Sequence, residues 1–218
     1  MRNLIKKITH PFLKLGLKLF YYKPRSYSYD NIRISVHPNV FPPHLTFSTK
    51  FLLDFIQDIN LKNKTILELG CGSGIISLLA AKKGAIVTAT DINKIALENL
   101  DKNSLKNQSK IEILYSDLFE NLQNKSFDYI IINPPYYPKK PKNIKENAWF
   151  CGENFEYFEN LFEQLPKYLK NNTKCYVILS EDCNIKTIQS IAAKNNIFFS
   201  LELVKSNSFE KNYIYNLT

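Results

Sequence analysis

Asn133, Pro134, Pro135 and Tyr136 follow a run, 127–132, that is apolar at nearly every position. An asparagine side-chain oxygen accepts one N–H of a planar amine, and a neighbouring backbone carbonyl accepts the second. Prolines at 134 and 135 stiffen that carbonyl and add no competing backbone donor. Two such acceptors draw the amine lone pair out of conjugation and aim it at an electrophile. Tyr136 offers an aromatic face on which a planar group stacks. The same four residues also read as a proline-rich turn after a strand. The chemical reading is favoured by a second motif upstream.

That motif uses three of the chain's six glycines, Gly70, Gly72 and Gly74, between a strand-like and a helix-like segment. Glycines so concentrated imply a backbone that turns tightly and lets a ligand approach closely. The following helix offers free N–H groups and a positive dipole end, suited to a carboxylate or a phosphate. Seventeen residues past Gly74 stands Asp91, at the end of the next strand, where a carboxylate can accept two ribose hydroxyls. Taken singly, the glycines make a tight turn and Asp91 caps a helix; in this order they point to a nucleoside cofactor. The spacing G-x-G-x-G differs from the dinucleotide fingerprint. Cys71, inside the loop, is a small residue that fits there rather than a nucleophile.

The elements that must position these residues are legible in the hydrophobic pattern. Strands are expected at 65–69, 85–90, 111–115, 127–132 and 174–180, and helices at 75–83, 93–103, 156–169 and 185–195. The helix at 93–103 is capped by Asp91 or Asn93. Two further strands, 197–205 and 211–217, are joined by a Ser/Asn turn. Strand–helix alternation ending in a hairpin describes an α/β fold, a doubly wound, mostly parallel seven-stranded sheet with a C-terminal antiparallel hairpin. Abundant Asn and Lys read as compositional bias.

The net charge of +9 is unevenly placed. Residues 1–25 hold seven basic side chains and no acid, leaving 22 basic against 20 acidic residues in the remainder. Leu4, Ile5, Ile8, Phe12, Leu15 and Leu19 fall near helical spacing, interrupted by Pro11. Residues 1–35 are therefore set apart as a basic amphipathic arm, and 36–218 as the catalytic domain. Such an arm packs on the domain, grips nucleic acid or lies on an acidic surface. Lys139, Lys140, Lys142 and Lys145 directly follow Tyr136 and favour a polyanionic or acidic substrate. No run reaches the ~18 apolar residues of a membrane span. Four scattered cysteines without a CxxC pair, and His10, His37 and His44 without metal spacing, indicate a cytoplasmic protein with neither disulfides nor a metal site.

ELGCGSG (68–74), TDIN (90–93), SDLF (116–119) and NPPY (133–136) resemble the class I S-adenosylmethionine methyltransferases. With the run VFPPHLTFSTKFLL (40–53), they are similar to the branch of HemK-type glutamine methyltransferases and small-domain RNA methyltransferases. The resemblance implies a Rossmann-like fold binding S-adenosyl-L-methionine, with Gly70, Cys71, Gly72 and Gly74 at its methionine part and Glu68 beside the loop. Asp91 and the adjacent Ile92 would meet the ribose, and Asp117 and Leu118 the adenine. Asn133, Pro134, Pro135 and Tyr136 would position the acceptor. Phe47, Ser48 and Thr49 would close over cofactor or target, although the usual acidic residue before the threonine is missing. Trp149 sits where it would wall the pocket.

Two substrate readings stand at this point: a nucleobase amino group in RNA or DNA, and a protein glutamine. The basic segments support the first and the HemK-like run the second. A small molecule as substrate, or a silent cofactor-binding scaffold, is less well supported, the latter because NPPY is intact.

Overall fold

The structure is a computed structural model that describes residues 22–123, 125–207 and 210–218. The helical pattern between Leu4 and Leu19 lies outside the described residues. Seven strands form one sheet: β3 (Thr65–Leu69), β4 (Ile86–Asp91), β5 (Ile111–Tyr115), β6 (Tyr129–Ile132), β7 (Lys174–Ser180), β8 (Phe199–Ser206) and β9 (Lys211–Leu217). Their spatial order is β5-β4-β3-β6-β7-β9-β8. Pairings from β5 to β7 are parallel, and β9 runs antiparallel to both neighbours. The order reverses between β3 and β6, the switch point beyond which ligands bind in open α/β sheets. This is the Rossmann-like fold expected from the sequence.

Core packs on both faces, which is why the central strands are apolar throughout. One face carries α1 (Phe47–Asp58), α2 (Ile75–Lys82) and α3 (Lys94–Lys106), with Leu52, Leu78 and Leu100 buried against Ile66 and Ile131. The other carries α4 (Glu156–Gln164) and α5 (Ile185–Ala193), where Phe158, Phe162 and Ile188 meet Leu67, Ile132 and Val177. The helix expected at 156–169 stops at Gln164, and a short turn over Leu165–Lys167 follows. Pro166 supplies no N–H to continue the ladder.

Residues read from sequence as the end of the arm form a second, two-stranded sheet, β1 (Arg25–Tyr29) and β2 (Ile32–Val36), paired antiparallel. Ile32, Ile34 and Val36 are buried in the α1–α3 core, while Arg33 and Ser35 face outward. The hairpin would leave the far edge of β2 unpaired, a costly state for backbone groups away from water. Asparagines on α3 fill that role. Asn107 accepts from Arg33 N (3.2 Å) and donates to Arg33 O (3.0 Å). Asn103 accepts from Ser35 N (2.9 Å) and, with Asn99, donates to Ser35 O. Asn99 accepts from His37 N at 2.7 Å. The geometry matches because one helical turn of four residues rises about 6 Å, close to the about 6.7 Å of two strand residues.

Asn103→Ala removes the partner of Ser35 N and should cost about 2 kcal/mol of stability. Denaturant unfolding of the variant against wild type measures this, with a loss below about 0.5 kcal/mol marking the ladder as energetically idle.

Candidate active site

The C-terminal ends of β3, β4, β5 and β6 open into one cavity of about 570 Å³. After β3 the chain turns through Gly70 (φ +75°) and Gly74 (φ +77°), both left-handed. A β-carbon on Gly70 would meet nothing within 4 Å, so the backbone lies open to the cavity there. Gly74 is different: it opens α2, and a β-carbon would collide with Leu100 of α3. It does not line the cavity, so its glycine serves helix packing. Gly70, Cys71, Gly72 and Glu68 all line it.

Asp91 ends β4 and binds the loop to the following helix. One carboxylate oxygen accepts from Gly72 N (2.9 Å) and the other from Asn93 N (2.8 Å). Each oxygen keeps a lone pair for a further donor. Asn93, not Asp91, caps α3, its side chain accepting from Ile95 N at 3.1 Å. Thr90 lines the same wall, and its buried hydroxyl has no hydrogen-bond partner among the described residues.

After β5, Ser116, Asp117, Leu118 and the β4-end residue Ile92 line the adjoining wall. Leu118 holds a left-handed φ of +45°. The turn is fixed by Ser116 Oγ, which donates to Leu118 O (2.9 Å) and accepts from Asn121 N (3.0 Å). Asn133, Pro134, Pro135 and Tyr136 leave β6 into the same cavity, beside the glycine loop, since Ile132 and Leu69 are register partners in adjacent parallel strands. Burial raises the Tyr136 hydroxyl far above the usual phenol range, so this ring stays neutral.

The roof comes from segments distant in sequence. Phe41, between β2 and α1, packs against Trp149 with ring centroids 4.8 Å apart. Trp149 is tied to the NPPY exit, since Tyr137 N donates to Trp149 O (3.1 Å) and Cys151 N to Tyr137 O (3.0 Å). Thr49 lines the cavity and meets Thr46 hydroxyl-to-hydroxyl at 2.9 Å. Phe47 and Ser48 do not line it; Phe47 stacks on Phe51 along α1. Sequence reasoning missed Asn93, Tyr137, Tyr157 and Asn160 as wall residues. Tyr157 and Asn160 stand one turn apart on α4, a spacing that shows a shared face and not which face.

Lys140 lines the mouth, and Lys139 lies over the Phe150 ring 4.6 Å from its centroid. Burial pushes the Cys71 thiol well up, helped by the Asp91 and Glu68 charges, which keeps it protonated and non-nucleophilic. Among the described residues no cluster of three His, Cys, Asp or Glu could hold a metal ion, and no helix is long and apolar enough to cross a membrane.

Glu68 is buried beneath the loop and accepts from Ser77 N (2.8 Å) and Ser77 Oγ. Burial raises its carboxyl from the ordinary 4.5 to about 8, partly countered by those bonds from Ser77. The folded state therefore binds more protons than the unfolded between these values, and stability falls as pH rises through that window. Glu68→Gln should flatten this slope and gain on wild type most at pH above about 8, read by denaturant unfolding across pH. Parallel pH profiles for the two proteins would show that Glu68 is charged throughout.

Comparison with known proteins gives the family of the chain. Residues 31–210 match the family described as Methyltransferase small domain. A "Putative protein N5-glutamine methyltransferase" of Methanocaldococcus jannaschii is 36% identical over 157 residues, covering 69% of this chain and 77% of that protein. Ribosomal RNA small subunit methyltransferase C of Haemophilus influenzae is 32% identical over 182 residues, 78% of this chain; the match spans only 54% of that relative's length. Among solved structures, the T. thermophilus 16S rRNA N2 G1207 methyltransferase in complex with AdoMet and guanosine superposes with a TM-score of 0.65 at 18% identity, over 89% of this chain and 50% of that one. The E. cuniculi Mtq2–Trm112 complex gives 0.63 at 21% identity, over 82% and 98%. These two likenesses establish the fold. On the family match and the closely covered archaeal relative, the chain belongs to the small-domain methyltransferases and is an S-adenosylmethionine-dependent methyltransferase.

Proposed function

We propose that the chain methylates a planar amine nitrogen of a macromolecule, the amino group of a nucleobase in RNA or DNA. The observation that carries this reading is that Asn133 and its prolines line one cavity with the glycine loop and Asp91, leaving β6 beside the loop because Ile132 pairs with Leu69. The residues present fit S-adenosylmethionine. Gly70 opens into free space, the unpartnered Thr90 hydroxyl adjoins the cavity, and Asp91 keeps acceptor capacity. In this reading Gly70, Cys71 and Gly72 hold the methionine part with Glu68 beneath them. Asp91, with Ile92 beside it, takes the ribose hydroxyls, Asp117 and Leu118 border the adenine, and Thr49 closes the near side. Gly74 contributes by fixing α2 against α3.

The bound cofactor supplies an electrophilic methyl group on a sulfonium. The chain supplies alignment. Asn133 Oδ1 and the adjacent carbonyl each take one N–H of the acceptor, which frees the nitrogen lone pair. Tyr136 and the roof rings exclude water and hold the planar group, and such positioning lowers the barrier by several kcal/mol. No general base is needed, because the methylated nitrogen sheds its proton to solvent after transfer.

Lys140 at the mouth, its neighbouring lysines and the basic residues 1–25 support a polyanionic acceptor. The methyltransferase domain in this reading includes the β1–β2 hairpin, whose Ile32, Ile34 and Val36 lie in its core, and the basic segment ahead of the hairpin adds contact with an acidic surface. Four buried free cysteines support a reducing, cytoplasmic setting. A second reading, a protein glutamine as acceptor, is favoured by the archaeal relative, whose name states that activity and 77% of whose length is matched. The amide of glutamine is planar and fits the same two acceptors.

Incubating the protein with methyl-tritiated S-adenosylmethionine and extract from a strain lacking the gene tests this. Label released by RNase or DNase is expected; label released only by protease overturns the nucleobase reading in favour of a protein acceptor, and its recovery as N5-methylglutamine after proteolysis establishes the glutamine reading. Asn133→Ala should lower transfer at least about hundredfold while calorimetric affinity for S-adenosylhomocysteine stays within about threefold. Transfer at the wild-type rate would remove the clamp.

A further inference from the structure

The cofactor wall and the acceptor loop are joined over the top of the cavity by a chain of contacts through Asn93. Asp91 Oδ1 accepts from Asn93 N (2.8 Å). The buried Asn93 side chain points both ways: Oδ1 caps α3 at Ile95 N (3.1 Å), and Nδ2 donates to Asn39 O (2.9 Å). Asn39 lies in the turn closed by Val40 N to His37 O (3.0 Å), whose other end Asn99 holds at His37 N (2.7 Å). Two residues on, Phe41 stands over the loop: a β-carbon on Gly72 would lie 3.6 Å from Phe41 Cβ. Its ring meets Trp149, whose carbonyl receives Tyr137 N beside Tyr136.

We propose that Asn93 is a positioning residue, a latch that passes cofactor engagement at Asp91 to the Phe41–Trp149 roof and thereby sets the acceptor loop. Tightening at Asp91 draws Asn93 and the 37–40 turn inward, seating Phe41 on Trp149 before the acceptor enters. A side chain that only capped α3 would need no amide; serine or aspartate would serve equally. The amide is explained by its second bond, to Asn39 O. The inference rests on the cofactor assignment and is independent of which acceptor is methylated.

Trp149 is the chain's one tryptophan, so its emission reports the roof directly. The full-length protein is titrated with S-adenosylhomocysteine by fluorescence and by calorimetry, as wild type, Asn93→Ser, Phe41→Leu and the double variant. Serine keeps the cap and loses the reach to Asn39. In wild type, binding shifts Trp149 emission. Asn93→Ser binds about tenfold more weakly, with the emission shift reduced by at least half, and the double variant is no weaker than Phe41→Leu alone. Losses that multiply in the double variant, or a full emission shift in Asn93→Ser, overturn the latch and leave Asn93 as a cap. Calorimetric binding without any emission change in wild type overturns it as well. Absence of calorimetric binding in wild type overturns the cofactor assignment and the latch together.

Discussion

The outer edge of β2 is the constraint on which the site's architecture depends. A two-stranded hairpin leaves every second N–H and C=O of its outer strand without a partner, and burial beside a helix forbids water from filling all of them. Asn99, Asn103 and Asn107 meet this need with side-chain amides, each able to donate and accept at once. A third strand would have satisfied the same groups but would have extended the small sheet away from the domain. The amide ladder instead binds the hairpin to α3, the helix that begins at the cavity wall.

From that anchoring the roof follows. With β2 fixed, the turn at 37–40 emerges beside Asn93, and Phe41 is delivered above the glycine loop. The cavity floor needs no such help, because parallel strands β3, β4 and β6 bring their C-terminal ends together at the point where strand order reverses. Floor and roof thus have different origins. The floor belongs to the sheet, and the roof to two segments clasped across it by one aromatic pair. The buried acids fit the same division. Asp91 holds the loop at Gly72 N, and Glu68 holds the first turn of the following helix through Ser77 N and its hydroxyl.

Much of this was legible in the chain. The apolar runs with their glycine and proline punctuation located all seven strands of the main sheet and four of its helices, with ends displaced by a few residues where proline or a strand-end turn intervened. Gly70, Gly72, Asp91, Asp117 and Asn133 could be singled out because motif spacing and strand ends coincide. Gly74 was read with them, yet the space its β-carbon would need is filled by Leu100, a packing demand that no local pattern reports. Phe47 and Ser48 were placed at the cavity with Thr49, whereas only Thr49 turns toward it. The asparagines taken for compositional bias include Asn99, Asn103 and Asn107, which tie the hairpin to α3, and Asn93, read as a helix cap, also holds the turn at Asn39 O.

By itself the sequence determined the class of sheet and marked the glycine loop and the NPPY segment at its strand ends, because these rest on contacts between near neighbours and on the periodicity of buried faces. Only the tertiary structure decided how the site is closed. Asn107 meets Arg33 across 74 residues and Asn93 meets Asn39 across 54. Phe41 and Trp149 pair across more than a hundred. An asparagine on an exposed-looking helix face, or a phenylalanine in a proline-rich run, has no local signature of its partner. The partner exists only once the sheet has folded and brought both backbones within reach.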